Sequence, residues 1–409
     1  MHIDLNSCFA TIEQQANPHL RGKPIAVAAY ATDGGCILAP SIEAKQFGVK
    51  TGMRVAEGKT RCPQLIVMTG DPPKYRDVHQ KFKTIFESYS PSITPKSIDE
   101  AIIDFHPMVN TFTQPPIKQL LNYAHQIKHR LRSEVGEWIS CNIGIAPNRF
   151  LAKLAASLHK PDGLDCIDHT NLLDILQTVT LLDLTGINLR NQARLHRWGI
   201  TTPLQFFYAP EPLLRRQVFG SVLGHYWHLR LHGYETDRID FQRRTYGQSY
   251  ALSHHTDDSK QLNRFFLKLT EKMGRRLRRA GHTARGIQVY LSHRNGTSWH
   301  KAQTFPSRMH TTRQLYQSLQ IVLDQKPHRQ LITKIAVSCF HLQPYQDHQL
   351  PLFADLPETK WHQLSQASDA INDKYGEFTL TPTTLMTMQD TIVDRIAFGN
   401  VKEILNLYE

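Results

Sequence analysis

The order of apolar and polar residues predicts alternating strands and helices in the first 165 positions. Ile3 and Leu5 flank Asp4 as in a half-buried strand, because successive side chains of a strand point to opposite faces. Residues 24–30 form a continuous apolar run that predicts a buried strand. Shorter runs predict three more strands, at 36–38, 99–105 and 141–146.

Helices are predicted between these strands from apolar residues at helical spacing and from capping residues. Asn6 and Ser7 are expected to cap the first helix, whose Phe9 and Glu13 then lie one turn apart on the same face. Ser41 is expected to cap a short helix. The longer predicted helices span 74–89, 117–134 and the segment that Asn148 opens and Lys160 closes.

Residues 166–235 are predicted to be helical throughout. The turn at 184–188, followed by Gly199, is similar to a helix-hairpin-helix, which binds DNA phosphates through backbone amides. Its first glycine, Gly186, is the predicted DNA contact, whereas Asn188 replaces the second glycine of the usual turn. Asparagine tolerates left-handed backbone conformations, so the turn is expected to survive. An ordinary helical hairpin remains the alternative.

A third pattern begins after a polar connector at 236–242. It predicts the order strand, helix, strand, strand, helix, strand, which is a split βαββαβ arrangement. The predicted strands are 249–253, 285–292, 299–305 and 331–340, and the predicted helices are 258–280 and 312–325.

Two adjacent carboxylates, Asp99 and Glu100, stand at the start of a predicted strand, where ionised side chains are costly. They can converge on one target only where the chain turns into the strand. Like charges held close together raise each other's pKa unless a cation lies between them, and a divalent metal is the usual cation. Asp4 is the best candidate for a third ligand. Pro95, which lacks a backbone N–H, predicts an edge strand just before this segment.

Length and composition narrow the class of protein. A chain of 409 residues is expected to form several domains. No apolar run reaches the roughly 18 residues of a membrane span, and the first residues have neither a basic leader nor an apolar signal core, so a soluble, cytoplasmic protein is expected. Six dispersed cysteines without a Cys-x-x-Cys pair argue against a zinc knuckle or a disulfide framework and predict buried free thiols.

The net charge of +12 is concentrated in one part of the chain. Residues 241–345 hold 18 lysines and arginines against 4 acids, whereas residues 346–409 hold 4 against 10. A folded segment this basic predicts a surface for a polyanion, most simply nucleic acid, and a merely solvated basic face is the alternative. Candidate DNA contacts on the helix at 258–280 are Lys272, Arg275, Arg276, Arg278 and Arg279.

Four separated motifs together resemble the Y-family, or translesion, DNA polymerases of the DinB and UmuC type. They are the strand with Asp4, the helix at 43–45 with the Phe-Gly-Val that follows it, the segment 97–101 and the stretch 144–163. The resemblance implies an α+β multidomain fold with a right-hand architecture: a ferredoxin-like palm, small fingers, a helical thumb with a helix-hairpin-helix, and a βαββαβ little-finger domain. The implied boundaries are palm 1–10 and 72–165, fingers 11–71, thumb 166–235, linker 236–242, little finger 243–345 and a C-terminal tail 346–409.

The resemblance also implies roles for residues of the site. The implied ligands of two Mg²⁺ ions are Asp4, the Leu5 carbonyl, Asp99 and Glu100. Lys45 and Lys160 would bind the triphosphate of the incoming nucleotide, and Phe9 would lie beneath the sugar as a steric gate that excludes a 2′-hydroxyl. Each has a plainer interpretation by itself, namely core packing for Phe9 and surface lysines at helix ends. The reaction implied is low-fidelity, template-directed addition of dNTPs to a primer in DNA damage tolerance.

The chain departs from many of these relatives near the triphosphate. Where they have a tyrosine, a hydroxyl-bearing residue and an arginine, this chain has Ile42, Ala39 and Lys45. Lysine is a point charge without the two-pronged geometry of arginine, so altered nucleotide affinity or selectivity is expected.

Residues 349–353 resemble the Gln-Leu-x-Leu-Phe motif by which bacterial polymerases bind the sliding clamp. The apolar anchors would be Leu350, Leu352 and Phe353, and Gln349 would form the hydrogen-bonding end. The implied partners are therefore primer–template DNA, a dNTP and the β sliding clamp, and a monomer without membrane attachment is expected. The rest of the tail resembles C-terminal extensions of some bacterial members, with no role implied.

Two other functions remain open at this level. A non-catalytic clamp- and DNA-binding accessory protein could keep the fold, although it would be expected to have lost its acids. A nucleotide cyclase resembles the palm in fold and in paired acids, but it has no use for the thumb-like hairpin, the basic domain or the clamp motif.

His125 and His129 have the spacing of a metal-binding pair, but without a third ligand nearby a solvated helix face is favoured.

Overall fold

The computed structural model describes residues 1–236, 243–326, 330–345, 356–388 and 391–392, with the backbone alone at 356–359. The described residues fall into two compact units, one up to residue 236 and one from residue 243 to residue 392. No helix in this described part of the chain is long and apolar enough to cross a membrane.

The first unit contains two β-sheets. Its strands are β1 (His2–Leu5), β2 (Ile25–Ala28), β3 (Ile37–Pro40), β4 (Ile66–Thr69), β5 (Ile93–Pro95), β6 (Glu100–Ile103), β7 (Cys141–Ile145) and β8 (Leu164–Cys166). The larger sheet has the order β5-β6-β1-β7-β8, and the smaller one the order β3-β2-β4. The central β1 is antiparallel to both β6 and β7. Pro95 lies on the edge strand β5, which confirms the prediction for this proline.

Helices of the first unit pack in three separate cores: around the larger sheet, against the smaller sheet, and largely among themselves. They are α1 (Cys8–Ala16), α2 (Ile42–Gln46), α3 (Val55–Arg61), α4 (Pro72–Glu87), α5 (Pro116–Arg130), α6 (Arg149–Leu158), α7 (Leu172–Thr178), α8 (Leu189–His196), α9 (Pro203–Tyr208), α10 (Glu211–Leu213) and α11 (Leu223–Leu231). Phe9 of α1, Phe82 of α4 and Ile127 of α5 share one buried core with Ile3 and Ile143 of the sheet. This core holds β1 and β6 against three helices.

The predicted cap of α1 is only half correct. Ser7 is the residue before the helix, but its backbone is left-handed (φ 49°) and its side chain accepts no capping hydrogen bond. The Asn6 side chain turns away from the helix. Its Nδ2 donates to Ser140 Oγ at 3.0 Å, and its Oδ1 accepts from Asn142 Nδ2 at 2.6 Å. The cap of α2 is confirmed, since Ser41 Oγ accepts from the Ala44 N–H at 3.2 Å.

The elements between residues 172 and 231 are helices, as predicted for 166–235, but Cys166 at the start of that segment belongs to strand β8. Helix α6 packs against α11. Leu151 and Leu154 share a core with Leu195 and Trp227. Gly186 has a left-handed backbone (φ 103°), and a Cβ there would meet the Trp227 ring at 3.2 Å, so this position requires glycine.

The turn survives with Asn188, as expected, but Asn188 does not use a left-handed backbone. Its backbone is extended (φ −99°, ψ 174°), because it serves as the N-cap of α8. The Asn188 side chain accepts from the Asn191 N–H at 2.9 Å, an interaction that a second glycine could not make.

The second unit has the predicted βαββαβ order. Its elements are β9 (Thr245–Thr256), α12 (Ser259–Arg279), β10 (His282–His293), β11 (Ser298–Met309), α13 (Thr312–Leu323), β12 (Ile332–Phe340), β13 (Gln343–Pro344) and α14 (Leu356–Tyr375). The strand order is β11-β10-β12-β9, and β13 pairs with β10. Phe266 of α12 and Leu319 of α13 pack with Val289 and Val337 of this sheet. Residues between the buried ones, such as Ser249 and Lys334, therefore lie on the face away from the helices.

All six cysteines are free thiols. Burial is confirmed for Cys8, Cys62, Cys141 and Cys339, and Cys166 is half-buried. The prediction is wrong for Cys36, which is exposed because its neighbour Ile37 takes the inward position at the start of β3.

Candidate active site

The register of the central sheet brings two of the predicted acids together. Asp4 of β1 lies directly opposite Glu100 of β6. The residues that alternate with them, Ile3 and Leu5 on β1 and Ala101 on β6, belong to the buried core, so the two carboxylates share the opposite face of the sheet. Two short strands thus place acids 96 positions apart side by side.

Asp99 reaches this site because it precedes β6 rather than belonging to it. The Leu5 N–H donates to the Asp99 carbonyl at 2.9 Å, and Ser97 Oγ donates to Asp99 Oδ1 at 2.5 Å. Both adjacent acids can therefore approach the same region, as expected where a chain turns into a strand. The structure assigns a hydrogen bond to the Leu5 amide, and the predicted role of its carbonyl as a ligand stays a prediction.

The Asp99 carboxyl group is held in an unfavourable place for a negative charge. Burial raises its pKa to about 6; the hydrogen bond from Ser97 opposes this rise, and the charges of Asp4 and Glu100 add to it. The site therefore favours any cation that can approach all three carboxylates.

Two lysines neutralise the other acids. Lys153 of α6 donates to both carboxylate oxygens of Glu100, at 2.6 and 2.7 Å. Lys160, just after α6, donates to Asp4 Oδ2. Lys160 is one of the two lysines predicted to bind a triphosphate, whereas sequence reasoning missed Lys153. Its only sequence signal is a place in the helix that Asn148 caps, five residues before that helix ends at Leu158; the packing of the helix against β1 is seen only in the structure.

The ammonium group of Lys45 interacts with the charges of Lys160, Asp4 and Asp99. Its pKa is lowered by burial and then by the neighbouring charge of Lys160, while Asp4 and Asp99 act in the opposite direction. Lys45 and Lys160 thus lie close enough to the acids to interact with their charges, and their predicted role in binding a triphosphate stays a prediction. Ile42, one turn earlier on α2, is half-buried, and Ala39 is buried in β3.

The chemistry of the donors fits a hard divalent cation. Carboxylate oxygens are the ligands that Mg²⁺ prefers. The nearby Cys8 offers no thiolate, because burial, followed by Asp99 and Asp4, raises its pKa well above the ordinary value. Within the described residues, no three possible ligands are already arranged to hold a metal ion. The ammonium groups of Lys153 and Lys160 supply the positive charge in this arrangement.

Phe9 lies in the core beside the site. It is fully buried, and its ring stacks on Tyr75 at 4.5 Å between centroids. The Tyr75 hydroxyl donates to Glu13 at 2.8 Å, and Lys74 donates to the same carboxylate at 2.7 Å. The structure thus shows a packing role for Phe9, and its contact with a sugar stays a prediction.

His79 of α4 is a second residue that sequence reasoning missed. It is buried, and its Nδ1 lies 2.9 Å from the carbonyl oxygen of Ile98, one position before Asp99. Burial lowers its pKa, so the imidazole is neutral and Nδ1 donates this hydrogen bond. A lone histidine in an amphipathic helix gives no signal for such a support.

The predicted DNA contacts on α12 have partners within the second unit. Arg278 pairs with Asp369, Arg275 and Arg279 both pair with Asp373, and Lys272 pairs with Glu377. Arg276 donates to the Gly247 carbonyl at 2.8 Å. The acidic tail therefore contacts these side chains in this arrangement, and their predicted contact with DNA stays a prediction.

Three other predictions concern positions away from the acids. The Gly186 turn is present, with its carbonyl accepting from Asn191 at 3.1 Å, and its contact with DNA stays a prediction. The predicted clamp motif (Gln349, Leu350, Leu352 and Phe353) lies outside the described residues. His125 and His129 are both exposed on α5, as a solvated face requires.

Comparison with known protein families identifies two matching regions. Residues 3–157 match the model of the impB/mucB/samB family, and residues 243–352 match the model of its C-terminal domain. The DNA polymerase IV of Pelotomaculum thermopropionicum is 30% identical over 398 residues, which is 96% of each chain. The DNA polymerase IV of Moorella thermoacetica is 31% identical over 386 residues, or 91% of this chain and 92% of that protein.

Solved structures with the same fold support the architecture. A Y-family DNA polymerase chimera of Dbh and Dpo4 has a TM-score of 0.72 at 22% identity, covering 83% of this chain and 98% of that chain. An insertion ternary complex of Dbh DNA polymerase has a TM-score of 0.58 at 22% identity, covering 84% and 99%. The predicted fold class is therefore confirmed.

Proposed function

We propose, on the premise that this chain belongs to the impB/mucB/samB family of Y-family, translesion DNA polymerases, that Asp4, Asp99 and Glu100 are its catalytic acids. The enzyme is a DNA-directed DNA polymerase. The observation that carries the assignment of residues is the meeting of Asp4 with Glu100 across β1 and β6, with Asp99 beside them. The accessory-protein alternative has no support, because all three acids are present and share one site.

The cofactor we propose is a pair of Mg²⁺ ions held by the three carboxylates and the Leu5 carbonyl. When bound, the ions would activate the primer 3′-hydroxyl and stabilise the charge of the leaving pyrophosphate. Asp99 would gain from a cation, since burial disfavours its ionised form. Lys153 would keep Glu100 oriented from α6, because its ammonium group contacts both carboxylate oxygens.

Lys45 and Lys160 are proposed to bind the triphosphate of the incoming dNTP. Both lie among the acids, and Lys160 is on the exposed side of the site, with 44% of its side chain accessible. In the resting arrangement Lys160 contacts Asp4, so binding of a triphosphate would transfer this ammonium from a carboxylate to a phosphate. Lys45 contributes charge without bidentate geometry.

The wider assignment follows the predicted right hand. We propose a palm at 1–10 and 72–165, fingers at 11–71, a thumb at 166–235 with the Gly186 turn on DNA phosphates, a linker at 236–242 and a little finger at 243–345. The substrates would be primer–template DNA and dNTPs, and the chain would act as a cytoplasmic monomer.

Extension of a labelled primer with Mg²⁺ tests the function. The complementary nucleotide must be added, and absence of any addition would contradict it.

Phe9→Ala is expected to increase incorporation of ribonucleotides, relative to deoxyribonucleotides, by at least about tenfold, because a bulky side chain beneath the sugar excludes the 2′-hydroxyl. The ratio of kcat/KM for the two sugars measures this. Phe82→Ala is the matched control, since Phe82 is buried in the same core. Unchanged sugar discrimination in Phe9→Ala, or an equal change in the control, would show that Phe9 packs in the core and does not select the sugar.

The segment 349–353 is proposed to bind the sliding clamp. Alanine at Gln349, Leu350, Leu352 and Phe353 is expected to reduce stimulation of primer extension by a bacterial β clamp by at least about tenfold, because apolar anchors dominate such docking. Synthesis without the clamp should be unchanged. Alanine at Gln346, Asp347 and His348 is the control, and equal loss of stimulation there would argue against the motif.

A further inference from the structure

The C-terminal tail carries acids that match the basic helix α12 in an antiparallel register. Asp369 accepts from Arg278 Nε at 2.6 Å and Nη2 at 2.9 Å, which is a two-pronged contact. Four residues later, Asp373 accepts from both Arg275 and Arg279, the latter at 2.5 Å. A spacing of four residues advances a helix by about 6 Å, so one face of α14 meets successive turns of α12.

The same pairing continues past the end of α14. Glu377 lies 3.0 Å from Lys272 Nζ. Lys268, which is 2% exposed, donates to the carbonyl oxygens of Met388 (2.6 Å) and Thr391 (2.5 Å). Five cations, which we call the basic face of α12, are therefore contacted by the tail: Lys268, Lys272, Arg275, Arg278 and Arg279.

Apolar contacts hold the tail in the same place. Leu385, Met388 and Ile392 are buried in the core of the second unit, and the Phe378 ring lies 4.5 Å from Lys268 Nζ. Near the start of α14, the Arg313 guanidinium lies over the Trp361 ring at 4.4 Å. Charge complementarity alone would give a weak surface association, whereas these contacts fix the acids over the basic face.

We propose that the basic face of α12 is a polyanion-binding surface that Asp369, Asp373 and Glu377 occupy, and that their presence keeps DNA away from this side of the domain. A polyanion would otherwise be attracted to these cations without regard to sequence. With the face occupied, DNA would be directed to other surfaces, such as the sheet face with Ser249 and Lys334. This proposal does not depend on the catalytic acids.

The test is the salt dependence of duplex DNA binding by the full chain with Asp369→Asn, Asp373→Asn and Glu377→Gln combined. At about 0.1 M salt, the affinity for a labelled duplex should increase at least about tenfold. The slope of log K against log salt should steepen by about 2 to 3, since each additional phosphate contact contributes roughly 0.9. Fluorescence anisotropy measures both without catalysis.

A matched control has the same change in net charge elsewhere. Asp77, Glu87 and Glu134 of the first unit each pair with a lysine or arginine on the surface. Neutralising these three should leave the slope unchanged. An equal gain in the control would show that net charge alone causes the effect, and an unchanged slope in the tail variant would overturn the proposal.

A single substitution allows the proposal to be tested even if the triple variant misfolds. Asp373→Asn removes the carboxylate shared by Arg275 and Arg279, and 44% of its side chain is exposed, so the fold should be kept. Its slope should steepen by about 1 to 2 with an unchanged melting temperature. A folded Asp373→Asn variant with wild-type DNA binding would reject the proposal even if the triple variant unfolds.

Discussion

Replacing Asp99 with asparagine should reduce the rate of dNTP addition by about 10³-fold. Asparagine keeps the shape of the side chain but removes the charge that a cation would balance. Loss of a charged metal ligand removes several kcal/mol of transition-state stabilisation, and each 1.4 kcal/mol corresponds to tenfold in rate. Single-turnover primer extension with saturating Mg²⁺ and dNTP measures this step directly.

Asp104→Asn is the matched control for this prediction. Asp104 lies five positions further along the same segment, and its carboxylate accepts from the His106 N–H at 2.9 Å outside the site. This variant should keep near wild-type activity. More than about a tenth of wild-type activity in Asp99→Asn would contradict the assignment of this carboxylate, because such a loss corresponds to less than about 1.4 kcal/mol.

The same Asp99→Asn substitution should stabilise the protein when no metal is present. Burial raises the pKa of Asp99 to about 6, so the folded state is penalised for holding this carboxylate ionised. Asparagine avoids that charge and can still accept the hydrogen bond from Ser97. The free energy of unfolding in a chelator should increase on the order of 2 kcal/mol at pH 7 to 8, where the penalty is fully present.

The pH dependence gives this prediction a sign that can be checked. Below pH 6 the wild-type carboxyl group becomes protonated in the folded state, so the advantage of asparagine should decline and vanish near the unfolded pKa of about 4. Denaturant unfolding at several pH values measures this. Equal stability of the two proteins at pH 8, or an advantage that grows on acidification, would show that Asp99 is not destabilised by burial and by its acidic neighbours.

Local patterns predicted most of the elements and the core of the site. The alternation around Asp4 and the turn into the strand at Glu100 were sufficient to suggest a shared cation site, because strand periodicity determines which side chains share a face. The edge position of Pro95 followed from its missing N–H, and the βαββαβ order followed from periodicity alone. Helix caps were less predictable, since Ser7 adopts a left-handed backbone that its sequence does not signal.

Long-range contacts were beyond such patterns. Lys153 is one lysine on an amphipathic helix, and only the packing of α6 against β1 brings it to Glu100. His79 is likewise ordinary until α4 places it beside the Ile98 carbonyl. The Ile98 carbonyl is about 20 positions from His79, and Glu100 is about 50 positions from Lys153. Periodicity predicts which residues of one element share a face, but it does not predict contacts between elements this far apart in sequence.

The amino-acid sequence by itself determined which chemistry is available: three acids in or next to two strands, lysines at two helix ends, and a basic segment followed by an acidic tail. The tertiary structure decided which of these charges meet. Packing placed Asp4 against Glu100 and left Asp99 buried with a raised pKa of about 6, and it covered the cations of α12 with Asp369 and Asp373. Charge is a property of each residue, whereas its partner and its burial are properties of the folded chain.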